Sequence, residues 1–431
     1  MSSATDFYST LKNKSDKNGP KSISDFAVHL CFRTILCLYI GTIKLARRLV
    51  PQKPLPENGP IEILLTGTFF SDNWIISLLR PLALSRRCGR IRMVSTTPVP
   101  FIEKVEAIYP PKLLVKIIGR SPARLATFIY LGIRTRPHII GGLHLLINGL
   151  MAILLAKLLG TKALYSCCGG PTECKDGGYN SENHLFSKLH GPDKFIERRL
   201  LNAISEADLV ITRGHLVIHF FQEHGVVTRF HVIPGGMDGK KFFPSQMPAE
   251  NDLIIMGNLV PRKRVDLFLE IVSKVHAVRP DIQAIVLGDG PLRQSLEAQT
   301  KQLALEDVLC FAGYQNNVVE WLQRSKIFIL TSEAEGLSQA MIQAMLCGLP
   351  AVVSHVGEAE ELVQNGVNGF LIKDLDVDAF VTAILQLLEN PAMLSSFSTA
   401  ARQSAARCDV HYLAQKWDGI FNELIKTPVV Q

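Results

Sequence analysis

Paired cysteine spacing is missing from this chain: nine cysteines are scattered over 431 residues, and only Cys167, Cys168 and Cys174 fall close together. That scatter excludes a disulfide-stapled secreted scaffold, and since no cleavable signal pattern stands near Met1, a reducing, cytosolic setting is expected. The Cys-Cys-x5-Cys cluster has neither a second Cys-x-x-Cys nor a nearby histidine pair, so small buried side chains are expected there and no metal. A long uninterrupted apolar run is also lacking. Between Phe26 and Val50, in FAVHLCFRTILCLYIGTIKLARRLV, Arg33 interrupts the run and Lys44, Arg47 and Arg48 close it, which leaves ten residues from Thr34 to Ile43. Ten are too few to cross a bilayer comfortably. Charge is sparse at 20% against 47% hydrophobic residues, the balance of a chain that buries a core and not of a disordered one.

What charge there is lies unevenly. Residues 1–245 hold 32 basic and 17 acidic side chains, residues 246–431 hold 14 and 22, and the net value of +7 hides the contrast. A basic half calls for an anionic partner. The apolar stretches beside that charge point to an anionic membrane surface, and no recognition motif supports nucleic acid. Residues 26–50 fit an interfacial helix whose Lys and Arg reach the headgroups, with a transmembrane span and a core-docking helix as the alternatives. A second basic, amphipathic stretch runs from Pro111 to Arg136 and carries Lys112, Lys116, Arg120, Arg124, Arg134 and Arg136; it fits either membrane docking or a solvated basic face.

The length calls for two cores. Residues 1–25 are a polar, disordered lead-in; 26–56 are the membrane-associating segment with a Pro-rich linker. A first Rossmann-like domain is expected over 61–235, a linker over 236–250, a second such domain over 251–408, and a C-terminal helix over 409–431 that packs back on the first domain. Both domains alternate apolar strands with helices, for example IEILLTGTFF, IRMVST, HIIGG, ALYSC and ADLVIT in the first and DLIIMG, AIVLG, VLCFAG, IFILTS and PAVVS in the second. Such alternation means a parallel sheet with crossover helices, and ligands of open parallel sheets sit outside the carboxyl ends of the strands.

Three turns of the second domain suit a phosphate. Gly257-Asn258-Leu259-Val260-Pro261-Arg262-Lys263-Arg264 places cations at the ligand edge, as a diphosphate requires without a metal. Gly288-Asp289-Gly290-Pro291 allows close backbone approach. In TSEAEGLSQAMIQAMLCGLPAVVS, from residue 331, Glu335 and Gly336 precede a helix starting near Ser338. The amides of Leu337 and Ser338 and the helix dipole there form an anion site. Glu335 is placed to accept hydrogen bonds from sugar hydroxyls, and Gln343 to reach a ribose diol.

The run from 331 to 372 resembles the signature of family 4 of the retaining glycosyltransferases, Glu-x7-Glu followed by Ala-x-Ala/Cys-Gly-x-Pro-Val-Val-Ser. VIPGGMD with Phe242, GNLVPRKRVD, VLGDGPLR and FAGY, which ends at Tyr314, match that family's preceding motifs in order. The resemblance is firm from about Asp208 to Leu388. It implies an α/β chain of the GT-B fold: two Rossmann-like, doubly wound domains facing across a cleft, here with an N-terminal membrane-interface helix. It also implies a retaining, metal-independent enzyme without a cofactor, using a UDP- or GDP-linked sugar as co-substrate. Glu335 would contact the donor sugar, Gly336, Leu337 and Ser338 would hold the diphosphate, and Lys263 matches the phosphate lysine; Asn258, Arg262, Gly288, Gly290, Tyr314 and Gln343 complete the donor set.

Departures from the pattern are specific. The second signature Glu is Gln343, Asn258 stands where a phosphate arginine is usual, and Cys168-Gly169 replaces a His-Gly pair. The glycine pair after the first strand is absent, leaving Gly67, Asp72 and Asn73 as candidates there. His144 stands one position from where relatives carry a functional histidine and is the catalytic candidate of the first domain; for it and for His138 a satisfied polar side chain is the alternative. Glu173, Gly177 and Gly178, in the Gly-rich loop 169–183, are acceptor or loop candidates. Asp374-Leu-Asp376-Val-Asp378 precedes a helix, where aspartate is an ordinary cap, so no metal is assigned to it.

The expected activity is sugar transfer from a nucleotide-sugar to a lipid-linked or glycan acceptor in polysaccharide or glycolipid biosynthesis, on the cytoplasmic face of the membrane, with no nucleic acid as partner. Two alternatives stand beside it: a non-catalytic, membrane-associated partner protein that keeps the scaffold, and a nucleotide-sugar epimerase on the same fold.

Overall fold

The computed structural model describes residues 23–69, 71–179, 181, 183, 185–245 and 248–426; most of the polar lead-in and the last five residues of the C-terminal segment lie outside the described residues. The chain forms two compact units. Unit 1 runs to Gly236 and takes in the chain again from Leu413; unit 2 is Met237–Tyr412.

Unit 1 opens with α1 (Ile23–Leu49), followed by β1 (Ile61–Thr66), α2 (Asp72–Leu84), β2 (Cys88–Val94), β3 (Val105–Ile108), α3 (Lys112–Ile118), α4 (Arg120–Thr135) and β4 (Ile139–Leu143). Then come α5 (Leu150–Leu159), β5 (Lys162–Ser166), α6 (Lys194–Ser205), β6 (Leu209–Thr212), α7 (His215–Glu223) and β7 (Phe230–Val232). Its seven strands lie in the order β3-β2-β1-β4-β5-β6-β7, all parallel. Strands covered on both faces read as continuous apolar runs, and β4 and β5 are buried at every residue.

Unit 2 comprises β8 (Asn251–Met256), α8 (Val265–Val278), β9 (Ala284–Leu287), α9 (Arg293–Gln302), β10 (Leu309–Gly313), α10 (Val318–Gln323), β11 (Ser325–Leu330), α11 (Gln339–Leu346), β12 (Ala351–Ser354), β13 (Gly369–Ile372), α12 (Val377–Glu389) and α13 (Pro391–Ala405). Its parallel sheet has the order β10-β9-β8-β11-β12-β13. Strand order reverses direction between β1 and β4 in unit 1 and between β8 and β11 in unit 2. Those switch points, at the carboxyl ends of the strands, are where the crossover helices diverge and leave a crevice in each sheet. A last helix, α14 (Val410–Lys426), seats Trp417, Ile420, Phe421 and Leu424 in the unit 1 core beside Ile63, Leu65 and Leu79.

Several elements differ from the sequence expectation. The basic stretch 111–136 is two helices, because Gly119 takes φ +85° and separates α3 from α4. The apolar stretch Leu145–Leu159 is a regular α-helix only from Leu150; residues 145–149 form a distorted turn with Ile147 at φ 69° and ψ −53°. Strands β3 and β7 are short, and near Glu360 the chain makes only the single turn Ala359–Glu361. Asp376 caps α12, accepting from the amides of Asp378 and Ala379 at 2.9 and 3.2 Å, which gives the acidic triplet its structural role.

Candidate active site

At the unit 2 switch point the turn after β8 and the turn after β11 are tied together. Thr331 Oγ1 donates to the carbonyls of Lys263 and Arg264 at 3.0 and 2.9 Å, and the Glu333 amide donates to the Arg262 carbonyl at 2.9 Å. This brings Lys263 Nζ into an ion pair with Glu335 Oε1, which also accepts from Ser332 Oγ at 2.8 Å. Gly336 follows, exposed and with open space where a Cβ would stand, and Ser338 caps α11 by accepting from the Met341 amide. A cation, a carboxylate and a helix N-terminal turn thus converge within one short segment of backbone, an arrangement that suits an anion next to a polyol.

The glycines of this edge are there for close approach. A Cβ on Gly288 would lie 1.9 Å from the Gly257 carbonyl oxygen, and one on Gly290 would lie 2.6 Å from that of Leu259. Behind the signature, Gly357 sits at φ +56° with its Cβ position 2.0 Å from the Glu335 carbonyl, while the Glu358 amide donates to the Gly336 carbonyl at 3.2 Å. Of the other donor candidates, Asn258 and Arg262 are exposed, and Arg262 donates to the Ala334 carbonyl at 3.2 Å. Tyr314 is exposed at the end of β10, and Gln343 Nε2 lies 3.7 Å from Met237 Sδ. Arg264 is engaged elsewhere, by Asp266 and Glu333. Ser332 and Thr331 were not singled out from sequence, although both stand in the quoted run directly after a buried strand.

At the unit 1 switch point His144 follows β4 in a backbone conformation, φ 63° and ψ 145°, that side chains other than glycine rarely adopt. Glu173 holds it there. Buried in the Gly-rich loop, this carboxylate lies 3.1 Å from His144 Nδ1 and accepts from Tyr165 Oη at 2.9 Å, from the Cys168 amide at 3.2 Å, and from the amides of Leu145 and Gly169. Burial alone would raise its pKa, but the histidine and the backbone donors outweigh burial and hold the carboxyl below its usual range. From the opposite side Arg124, also buried, donates to Thr66 Oγ1 at 2.6 Å and Asn148 Oδ1 at 2.8 Å, and Asn148 Nδ2 donates to the Leu143 carbonyl at 2.8 Å. Burial beside neutral partners lowers the guanidinium to about 10.

The His144 ring stacks on Trp74 with centroids 6.0 Å apart and planes 6° from parallel, and Arg213 lies over the indole at 5.7 Å. Asp72 and Asn73 are exposed in the first turn of α2 beside Trp74. Gly67 abuts β4, where a Cβ would lie 2.5 Å from that of Leu143. Gly177 and Gly178 are buried at φ +82° and +75°, packed on the Asp193 and Glu173 carbonyls, so on this geometry they shape the loop and do not line an open surface. His138 Nδ1 accepts from the Glu62 amide at 2.9 Å, a satisfied polar side chain. Trp74, Arg124, Asn148 and Arg213 escaped the sequence reading; Arg124 lay hidden in what looked like a uniformly basic helix face.

Two parallel-sheet units with ligand-edge sites of this kind define a GT-B protein, and solved structures share the fold. Anabaena Alr3699/HepE in complex with UDP superposes with a TM-score of 0.65 over 84% of this chain and 100% of that one, at 18% identity. Residues 239–404 match the family of glycosyl transferases group 1. Among curated relatives, N-acetyl-alpha-D-glucosaminyl L-malate synthase of Bacillus anthracis is 26% identical over 227 residues, covering 50% of this chain and 59% of that protein. UDP-Gal:alpha-D-GlcNAc-diphosphoundecaprenol alpha-1,3-galactosyltransferase of Escherichia coli is 28% identical over 180 residues, 38% of this chain and 46% of that one. The match thus spans about half the length of these relatives.

Proposed function

We propose that the chain transfers a glycosyl group from a nucleoside-diphosphate sugar to a hydroxyl of a lipid-linked or membrane-proximal glycan, with retention at the anomeric carbon and without a metal, on the cytoplasmic face of a membrane. The observation that carries this reading is the convergence of Lys263, Glu335 and the capped start of α11 at the unit 2 switch point. In the reaction the bond from the anomeric carbon to the diphosphate breaks with its electron pair leaving on the diphosphate. The acceptor oxygen bonds to that carbon from the face the diphosphate leaves, and its proton passes to the departing diphosphate oxygen. Lys263, Arg262 and the α11 amides stand where they would offset the charge that develops on the leaving group, the kind of preorganised stabilisation that usually contributes most to such a step. Glu335 would hold sugar hydroxyls, and His144 stays the catalytic candidate of unit 1.

UDP bound in the Anabaena protein and the lipid diphosphate in the name of the E. coli relative support a UDP-linked donor and a lipid-linked acceptor. The test is nucleoside diphosphate release from UDP- and GDP-sugars in the presence of a chelator, with and without a lipid extract. Release that depends on one donor and on the extract supports the reading. Donor binding without release under any acceptor would favour the non-catalytic scaffold, which the substitutions at Asn258, Gln343 and Cys168 suit.

A further inference from the structure

We infer that α1 lies along an anionic bilayer as a half-embedded helix, clasped to unit 1 by its inner face and never crossing the membrane. This deepens the membrane part of the proposed function and rests on it only for the location of the acceptor. The inner face is fixed along its length. His29, Leu36, Ile40, Ile43 and Ala46 are buried against α5 and α6. Arg33, which seems to break the apolar run in the sequence, is half-buried and tied to unit 1: its Nε donates to Asp193 Oδ2 at 2.9 Å, and His29 Nδ1 lies 2.7 Å from the same oxygen. Asp193 is also the cap of α6, accepting from the amides of Phe195 and Ile196. Tyr39 Oη donates to the Leu150 carbonyl at 2.8 Å, and just past the helix the Lys53 amide donates to the Gly160 carbonyl at 2.7 Å. A spanning helix is surrounded by lipid or by other spans, and this one is bound to the core of unit 1 from His29 to Lys53.

The outer face has the opposite character. Leu30, Ile35, Leu38, Leu45 and Leu49 are each more than half exposed. Apart from Arg33, which is paired with Asp193, no Lys, Arg, Asp or Glu stands from Phe26 to Ile43. Its two hydroxyls need no water, because Thr34 and Thr42 donate to the carbonyls of Leu30 and Leu38 at 2.9 Å each. Apolar side chains with internally satisfied polar groups are what hydrocarbon accepts. Lys44 and Arg48 are exposed at the end of the helix, where headgroups would meet them. The same pattern recurs on α3, which buries no residue and exposes Leu113 and Ile117 between Lys112, Lys116 and Arg120. Leu36 and Ile43 of α1 and Phe128 of α4, the helix that α3 leads into, share one core cluster, and α1 and α4 both pack on α5. Basic residues beside both apolar patches select anionic lipid over a second copy of this chain.

The experiment uses the full chain with an epitope tag ahead of Met1, mixed with sealed vesicles of phosphatidylcholine alone or with added phosphatidylglycerol. Binding to the anionic vesicles is expected, weakened at least tenfold in the double variant Ile35→Glu/Leu38→Glu, whose melting temperature and nucleotide binding should match the parent. Added protease should remove the tag from the bound protein without detergent. A tag that resists protease until detergent is added means a span and overturns the proposal. So does wild-type protein that ignores both vesicles, or a double variant that only changes the oligomeric state. Nucleotide binding in the same preparations reports separately on the donor reading.

Discussion

Glu173 gathers five donors in unit 1 and is the residue on which the His144 turn depends. Its replacement by Gln removes a buried charge from a set of amides aimed at it and is expected to lower stability by about 3 kcal/mol at neutral pH, measured by chemical denaturation. Because the folded carboxyl titrates below its unfolded value, its contribution is complete above the unfolded pKa of about 4.3 and is lost as pH falls through the folded one. The gap between wild type and Glu173→Gln should therefore shrink as the titration enters the acid range. The sequence marked both His144 and Glu173 but not their partnership, which arises because β4 and β5 are neighbours and the chain after each turns toward the same edge. Arg124 and Asn148 were illegible for another reason: nothing in a basic amphipathic helix says which arginine turns inward.

Elements in unit 2 follow their local signals closely, and the loops between them carry the geometric demands. Gly288→Ala would place a methyl 1.9 Å from the Gly257 carbonyl at φ +143°, so a loss of at least about 2 kcal/mol is expected, read as a lower melting temperature. Ser338→Ala removes the cap of α11 and should cost about 1 kcal/mol, with weaker nucleotide binding as the more sensitive readout. In unit 1 local signals mislead more often. The apolar periodicity from Leu145 to Leu159 looks continuous, yet the backbone is diverted over 145–149, where the Leu145 amide donates to Glu173 and Asn148 Nδ2 to the Leu143 carbonyl. Arg33 looks like an interruption of α1 and is instead the residue that fastens it.

At the scale of the molecule, strand and helix alternation announced two parallel sheets, and the motif order from Asp208 onward announced the match to the glycosyl transferases group 1 over residues 239–404. The sites then follow from topology: both switch points fall where candidate residues cluster, Gly67 with His144 in one unit and Lys263 with Glu335 in the other. What the sequence left open was which polar residues the two edges assemble, since Trp74, Arg213, Thr331 and Ser332 belong to no periodic pattern. The proposed function depends on unit 2 holding a nucleoside-diphosphate sugar at Lys263 and Glu335. Thermal-shift titration of the purified full chain with UDP-, GDP- and ADP-sugars, with Lys263→Ala and Glu335→Ala in parallel, tests it directly. A shift selective for one nucleotide, weakened at least tenfold in apparent affinity by Lys263→Ala and reduced by Glu335→Ala, is the predicted result; folded wild-type protein that no nucleotide sugar stabilises, or a shift that both variants retain in full, would contradict it.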